Sequence, residues 1–327
     1  MQNKKIIIAG GTGFIGQAIT KYFGTENEVI ILTRVKKNEK SNAHGNVLDN
    51  AKEKLNVKYV AWDGIQQGGW SKEINGTDLV INLTGKTVNC RYTEKNRKEI
   101  FDSRTNPTKA IGIAIKNATT PPKLWINAAS TTIYRHAMDR PQDEITGEME
   151  NDFSVQVCKR WEEVFYQQPT PFTRKVALRM AITLGEEGVM TPYFNLLKFG
   201  LGGKQGSGKQ MYSWVHITDT CRMIEWFFDN SELEGTYNCC SLNPVTNAAF
   251  MQTLRKVTGH SFGLPAYTWM LKIGAFIIGT ETELVLKSRW VIPTKALQAG
   301  FTFQYSYLEA ALKDIINKTP RKKYHLF

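Results

Sequence analysis

The chain has 327 residues, 42% hydrophobic and 22% charged, with a formal net charge of +12. That balance is globular, and the length suits one large domain or a core domain with a smaller companion. No apolar run reaches the ~18 residues of a membrane span, since Lys272 interrupts the longest, Trp269 to Ile278; no membrane partner is expected. Lys4 and Lys5 lead directly into a strand that ends on glycines, so no signal peptide is read. Cys90, Cys158, Cys221, Cys239 and Cys240 form neither a CxxC pair nor a metal-ligand spacing, which suits a reducing, cytoplasmic setting. The adjacent Cys239 and Cys240 read as a strand end rather than a redox centre. The positive charge is dispersed, its two clusters being Lys36, Lys37 and Lys40 and then Arg321, Lys322 and Lys323. No nucleic-acid motif accompanies either, so no nucleic-acid partner is expected. There is no internal repeat and no low-complexity stretch.

In chain order, the first element is the most informative. Ile6-Ile7-Ile8-Ala9 runs into Gly10-Gly11-Thr12-Gly13, and Phe14, Ile15, Ala18, Ile19, Tyr22 and Phe23 follow at helical spacing. This reads as a buried parallel strand, a tight turn and a helix. Gly10, Gly13 and Gly16 give the pattern GxxGxxG. The first suits a positive φ, the second leaves no Cβ between backbone and a pyrophosphate, and the third lets helix and strand approach. The N–H groups of Thr12 to Ile15 would then hold phosphates at the helix start.

Glu28 to Arg34 reads as the second strand. An NAD site places a carboxylate near this strand end for the ribose 2′-hydroxyl; here the end is Thr33-Arg34, with Lys36 and Lys37 beyond. A guanidinium pairs with a 2′-phosphate that a carboxylate would repel, so NADP(H) is the expected cofactor. Residues 35–56 read as polar loop with some helix. Val57 to Asp63 is a short third strand, and Asp63 suits either an adenine amino group or a cap on the following turn. Asp78 to Gly85 is the fourth strand and turn, with Thr84 and Gly85 on the ligand side of a doubly wound sheet. A helix over about Glu94 to Asn117 carries Glu99, Ser103 and Arg104, with a break or kink expected at Pro107. Leu124 to Ser130 is the fifth strand, with Ser130 at the active-site edge and Tyr134 four residues on. A polar loop over 139–152 leads to a helix whose apolar face holds Val155, Cys158, Trp161, Val164 and Phe165. Lys175 to Met180 is the sixth strand, ended by Leu184-Gly185.

The last 140 or so residues change character. Glycines cluster between Gly200 and Gly208, and Tyr212 to Asp219 reads as a strand feeding a helix capped by Thr218 or Asp219. His216, on the strand, suits either an acid/base role or a satisfied structural one. Tyr237 to Cys239 is another short strand, and helices follow from Phe250. The fold expected is α/β: a Rossmann-type doubly wound parallel sheet with a smaller, mostly helical C-terminal substrate region. The NADP-binding domain would span 1–180, with 215–238 returning to it. Residues 181–214 and 239–310 would build the substrate side, and 311–327 a basic tail.

The motifs GGTGFIG at 10–16, NLTGK at 82–86, RYTEKNRKEIFDSR at 91–104, GLGGKQGSGKQ at 200–210, WVHITD at 214–219 and VIPTKALQAGF at 291–301 span nearly the whole chain. On these residues the chain resembles an extended short-chain dehydrogenase/reductase, of the atypical nucleoside-diphosphate-sugar-epimerase-like branch with a C-terminal domain of unknown function. The resemblance implies NADP(H) at Gly10, Thr12, Gly13, Phe14, Ile15 and Gly16, with Thr33 and Arg34 at the adenosine ribose. It further implies cofactor contacts at Leu83, Thr84, Glu99 and Arg104, and a small carbonyl, hydroxyl or sugar-nucleotide substrate. The family works with Ser, Tyr and Lys, the last two as YxxxK, where Tyr moves a proton and Lys lowers its pKa. Here Arg135-His136-Ala137-Met138 follows Tyr134, with no Lys at +4; Lys159 stands where the family lysine would, but Val155 occupies the tyrosine position. The catalytic candidates are therefore Ser130, Tyr134 and Lys159. Loss of the YxxxK tyrosine leaves a non-catalytic NADP(H)-binding sensor or scaffold as the alternative to an oxidoreductase.

Overall fold

Ile6, Ile7 and Ile8 are all fully buried, so the first strand, β1 (Lys5–Ala9), is covered on both faces. Alternate residues along it enter different cores: Ile6 and Ile8 pack in one apolar cluster, Ile7 and Ala9 in another. A computed structural model describes residues 1–34, 55–279 and 281–326. In chain order the elements are β1, α1 (Phe14–Phe23), β2 (Glu28–Thr33), β3 (Val57–Ala61), β4 (Leu79–Asn82), α2 (Glu94–Lys116), β5 (Leu124–Ser130), α3 (Phe153–Tyr166), β6 (Arg174–Met180), β7 (Ile182–Leu184) and α4 (Met190–Lys198). They continue as β8 (Met211–Tyr212), β9 (Trp214–His216), α5 (Ile217–Asp229), β10 (Gly235–Cys239), β11 (Val245–Thr246), α6 (Asn247–Thr258), α7 (Thr268–Ile278), α8 (Glu283–Leu286), α9 (Thr294–Gln298) and α10 (Leu308–Lys318).

Seven strands form one sheet in the order β10-β6-β5-β4-β1-β2-β3, every pair parallel. The order reverses between β1 and β4, the switch point where a doubly wound sheet opens a crevice at its carboxyl edge. Residues of α1 and α5 cover one face (Ile19, Phe23, Met223, Phe227). Residues of α2 and α3 cover the other (Ile111, Ala114, Ile115, Phe165). Each buried Ile, Met or Phe side chain among these contributes roughly 1.5–3 kcal/mol.

The structure departs from the sequence reading in four places. Pro107 lies inside an uninterrupted α2 and is buried there; lacking an N–H, it forgoes only the bond to the Ser103 carbonyl, and the helix continues on both sides of it. The sixth strand ends at Met180, and Ile182–Leu184 instead pairs with β9. The cap of α5 is His216, whose Nδ1 accepts from the Thr218 N–H at 3.2 Å, because Thr218 and Asp219 are already helical. Residues 311–327 are helix through Lys318: Leu308, Ala311, Leu312 and Ile315 fall at helical spacing and pack with α4 and α6 in a third core. No helix among the described residues is long and apolar enough to cross a membrane.

Candidate cofactor site

The carboxyl ends of β1 and β4 lie side by side, Ala9 opposite Asn82, and Asn82 opposite Asn127 on β5. The glycine turn follows β1. Gly10 has φ +78°, and a Cβ there would sit 3.1 Å from the Leu83 carbonyl carbon and oxygen. Gly16 is held tighter: its Cβ would lie 2.5 Å from the Gly11 Cα. Gly13 differs from both. It caps α1 with ordinary backbone angles (φ −78°) and no side-chain bond, and a Cβ there would meet only the Gly10 oxygen, at 3.6 Å. Gly10 and Gly16 are thus glycines because the protein itself fills their surroundings. Gly13 faces open space in front of the helix N–H groups of Phe14 and Ile15. The first turn of α1 carries no acidic residue, so its partial positive charge is not neutralised there. Gln17 Nε2 donates to the Thr12 carbonyl at 2.9 Å and fixes the turn. Gly11, not singled out in the sequence, is also required: its Cβ would come within 2.9 Å of Ile31.

Across the crevice, the Leu83 N–H donates to the Ala9 carbonyl at 2.9 Å. Thr84 is pinned twice to Asn82 Oδ1, through its N–H at 3.1 Å and its hydroxyl at 2.6 Å. Asn82 Nδ2 in turn donates to Asn127 Oδ1 at 2.7 Å and Thr108 Oγ1 at 3.1 Å. This buried network holds the β4 turn to β5 and α2, and the sequence reading missed it; an asparagine at the end of β4 and another in the middle of the apolar β5 were its only signal. Over Gly85 lies the Arg104 guanidinium, so close that a Cβ on Gly85 would be 3.1 Å from its Cζ. Arg104 bonds the Ile100 carbonyl at 2.9 Å and stacks over Trp161 at 5.1 Å. Loss of water around it lowers its affinity for its proton. Glu99 sits one turn earlier, paired with Lys86 Nζ at 2.5 Å, and the pairing lowers its pKa.

At the adenosine end, Thr33 closes β2 half-buried and Arg34 is exposed beyond it. Lys36 and Lys37 lie outside the described residues. Asp63 is exposed and acts as a turn cap: Oδ1 accepts from the N–H groups of Ile65 and Gln66, both at 2.8 Å, which lowers its pKa.

The three catalytic candidates are not brought together. Ser130 ends β5 half-buried; its Oγ accepts from the Thr132 N–H at 3.2 Å, and its own proton has no acceptor among the described residues. Tyr134 is buried instead. Its hydroxyl donates to Asn238 Oδ1 at 3.0 Å and accepts from Arg179 Nη1 at 2.8 Å, and burial pushes its pKa up to about 12. Arg179 is itself held by both carboxylate oxygens of Glu162, so the ring belongs to an interior ion-pair network. Lys159 points outward from α3 and bonds the Glu150 carbonyl at 2.9 Å. Val155 is fully buried against Ile133, Tyr134 and Cys158. His216 is also buried: Nε2 lies 3.2 Å from Asp314, the ring lies tilted against Tyr305 with centroids 3.9 Å apart, and burial pulls its pKa down to about 4.

Residues 6–156 match the model of the NAD dependent epimerase/dehydratase family, and residues 268–315 match a domain of unknown function, DUF1731. The chain is 31% identical over 315 residues to the epimerase family protein YfhF of Bacillus subtilis, covering 95% of this chain and 97% of that one. It is 31% identical over 319 residues to the epimerase family protein SAR0825 of Staphylococcus aureus, covering 96% and 100%. Among solved structures, human epimerase family protein SDR39U1 with NADPH superposes with a TM-score of 0.82 at 26% identity, over 96% of this chain and 99% of that one. A UDP-N-acetylglucosamine 4-epimerase from Bacillus cereus has a TM-score of 0.72 at 17% identity, over 96% and 98%, a likeness of fold. Matched over nearly its whole length by such relatives, on an extended short-chain dehydrogenase/reductase fold, the chain belongs to the NAD dependent epimerase/dehydratase family and carries a DUF1731 segment of its own.

Proposed function

We propose that the chain binds NADP(H) across the β1/β4 switch point and acts as an oxidoreductase on a small carbonyl, hydroxyl or sugar-nucleotide compound. The observation that carries this is Gly13: the one glycine of the motif whose Cβ the protein leaves room for stands before an uncapped helix start. Thr12 to Ile15 would hold the diphosphate through backbone N–H groups. Arg34 would pair with the 2′-phosphate, a role favoured by its exposure and by the absence of a carboxylate at the end of β2. The human neighbour's structure with NADPH supports the same choice. Leu83, Thr84 and Gly85 form the opposite wall, and Arg104 adds a cation beside it. A bound nicotinamide supplies or accepts hydride. Ser130 Oγ–H would then donate a hydrogen bond to the substrate oxygen, leaving the Thr132 N–H to orient the hydroxyl.

A second reading is favoured by a specific observation: Tyr134 spends its hydroxyl on Arg179 and Asn238, Lys159 faces solvent and Val155 is core. On that reading the protein binds NADP(H) without turnover, as a sensor or scaffold. Loss of NADPH absorbance in the presence of carbonyl compounds and sugar nucleotides, with a Ser130→Ala comparison, separates the two. Turnover that Ser130→Ala abolishes supports the oxidoreductase. Binding with no turnover on any compound supports the sensor.

A further inference from the structure

Helix α7 carries an apolar stripe on its outer side. Trp269, Ile273 and Phe276 recur at i, i+4 and i+7, the spacing that normally faces a core, yet they are 63%, 54% and 76% exposed. Ala275 on the opposite side is buried. The apolar surface extends beyond the helix. The 199–206 turn is laced to the strand-like run before α7 by backbone bonds: Leu264 N–H to Gly200, Gly203 N–H to Leu264, and Gly206 N–H to Ala266, at 2.8–3.0 Å. Phe199 and Phe262, on these two segments, are 67% and 62% exposed. So many large apolar side chains on adjoining segments mark an interaction site rather than scattered surface hydrophobics.

The charge around this surface is one-sided. Between Gly188 and Thr218, and again between Gly235 and Thr280, the sequence holds no Asp or Glu. The same two segments hold Lys198, Lys204, Lys209, Arg255, Lys256 and Lys272. Lys272 lies within the exposed stripe itself, one residue before Ile273. Lys256 pairs with Glu309 from α10, and the remaining cations have no carboxylate on their own segments. Glu281 and Glu283 follow α7, but Glu281 accepts from the Tyr92 N–H and pairs with Arg91, while Glu283 accepts from the Ser154 hydroxyl. An apolar stripe with tryptophan and a local excess of cations is thus left facing solvent, which suits the interface of an anionic bilayer. Each side chain of the stripe is more than half exposed, as on a protruding helix and not in a groove, which disfavours capture of a partner's helix. Two copies meeting face to face would oppose their own cations.

We propose that α7 and the adjoining 199–206 and 262–266 segments form a docking surface for anionic lipid bilayers. The aromatic and aliphatic side chains enter the headgroup boundary while the lysines meet lipid phosphates. The absence of a spanning helix bears on crossing a bilayer, not on resting against one. Cation–π contact of Arg91 with Phe276, at 5.3 Å, ties this surface to the loop that precedes α2.

The test is co-sedimentation of the full chain with NADPH present, using vesicles of phosphatidylcholine alone or of phosphatidylcholine mixed with phosphatidylglycerol. The mixed vesicles should carry the protein down, the neutral ones much less, and added salt should release it. The triple variant Trp269→Ser, Ile273→Ser, Phe276→Ser should lose at least about tenfold in binding, and Lys272→Glu roughly fivefold or more. Neutralising Arg321, Lys322 and Lys323 to Gln should leave binding in place. The proposal is overturned if the wild type binds neither vesicle, if both α7 variants bind like the wild type, or if the tail variant alone abolishes binding. It is also overturned if the wild type is a dimer that ignores vesicles and the triple variant is a monomer, which would make the stripe a self-interface.

Discussion

Replacing Gly13 by Ala isolates the phosphate-binding role of the glycine turn from its structural role. In the free protein the new methyl group meets only the Gly10 oxygen, at 3.6 Å, an ordinary contact, and φ of −78° suits alanine. Alanine is a poorer N-cap than glycine by roughly 0.5–1 kcal/mol. The reduced freedom of the unfolded chain offsets that by about 0.4–1 kcal/mol. Stability should therefore change little, by less than about 0.5 kcal/mol. A diphosphate resting on the Phe14 and Ile15 amides would meet the methyl group directly, so NADPH affinity should fall at least about tenfold, or ~1.4 kcal/mol. Gly16→Ala is the contrasting case. Its Cβ would lie 2.5 Å from the Gly11 Cα, and that contact is backbone, so overpacking costs about 1–3 kcal/mol even against the ~1 kcal/mol gain in helix propensity. Thermal melts with and without NADPH, and calorimetric titration, measure both quantities. A Gly13→Ala protein that binds NADPH as tightly as the wild type would refute the reasoning, because no diphosphate could then sit at the α1 start.

Four other outcomes follow from the same geometry. Arg34→Glu should erase or invert the preference for NADPH over NADH in parallel titrations, since a carboxylate there repels a 2′-phosphate and accepts from a ribose hydroxyl. Tyr134→Phe strands Arg179 Nη1 and Asn238 Oδ1 in the interior, so it should cost about 1–3 kcal/mol of stability in denaturant unfolding and leave NADPH binding in place; Ser130→Ala should do the reverse, keeping stability and removing any turnover. His216 has its pKa pulled down to about 4 by burial. The unfolded chain therefore binds the extra proton first: the stabilisation from keeping His216 neutral is complete above roughly pH 6.5 and is lost as pH falls toward 4, about 3 kcal/mol in all. Melting temperature measured across that window should drop, and drop less in His216→Gln.

The parts of this protein governed by local rules were readable from sequence. The run of isoleucines into GGTGFIG could only be a doubly covered strand feeding a helix, and β1 and α1 are that. Other features depend on contacts between distant residues. Whether Tyr134 faced a ligand or the interior depended on Arg179 and Asn238, 45 and 104 residues away. Asp63 fitted two roles until Ile65 and Gln66 turned back on it. Pro107 signalled a break, yet α2 runs through it with the ring buried, so the fold around it outweighed the local penalty. The exposed stripe of α7 has the periodicity of a core helix, and periodicity alone does not say which side is wet.

The most direct measurement on the central claim is calorimetric titration of the wild-type protein with NADPH and, separately, with NADH. The account predicts saturable binding of NADPH, at least about tenfold tighter than NADH. Failure of either nucleotide to bind would remove the cofactor site itself, and equal affinity for the two would contradict the role given to Arg34.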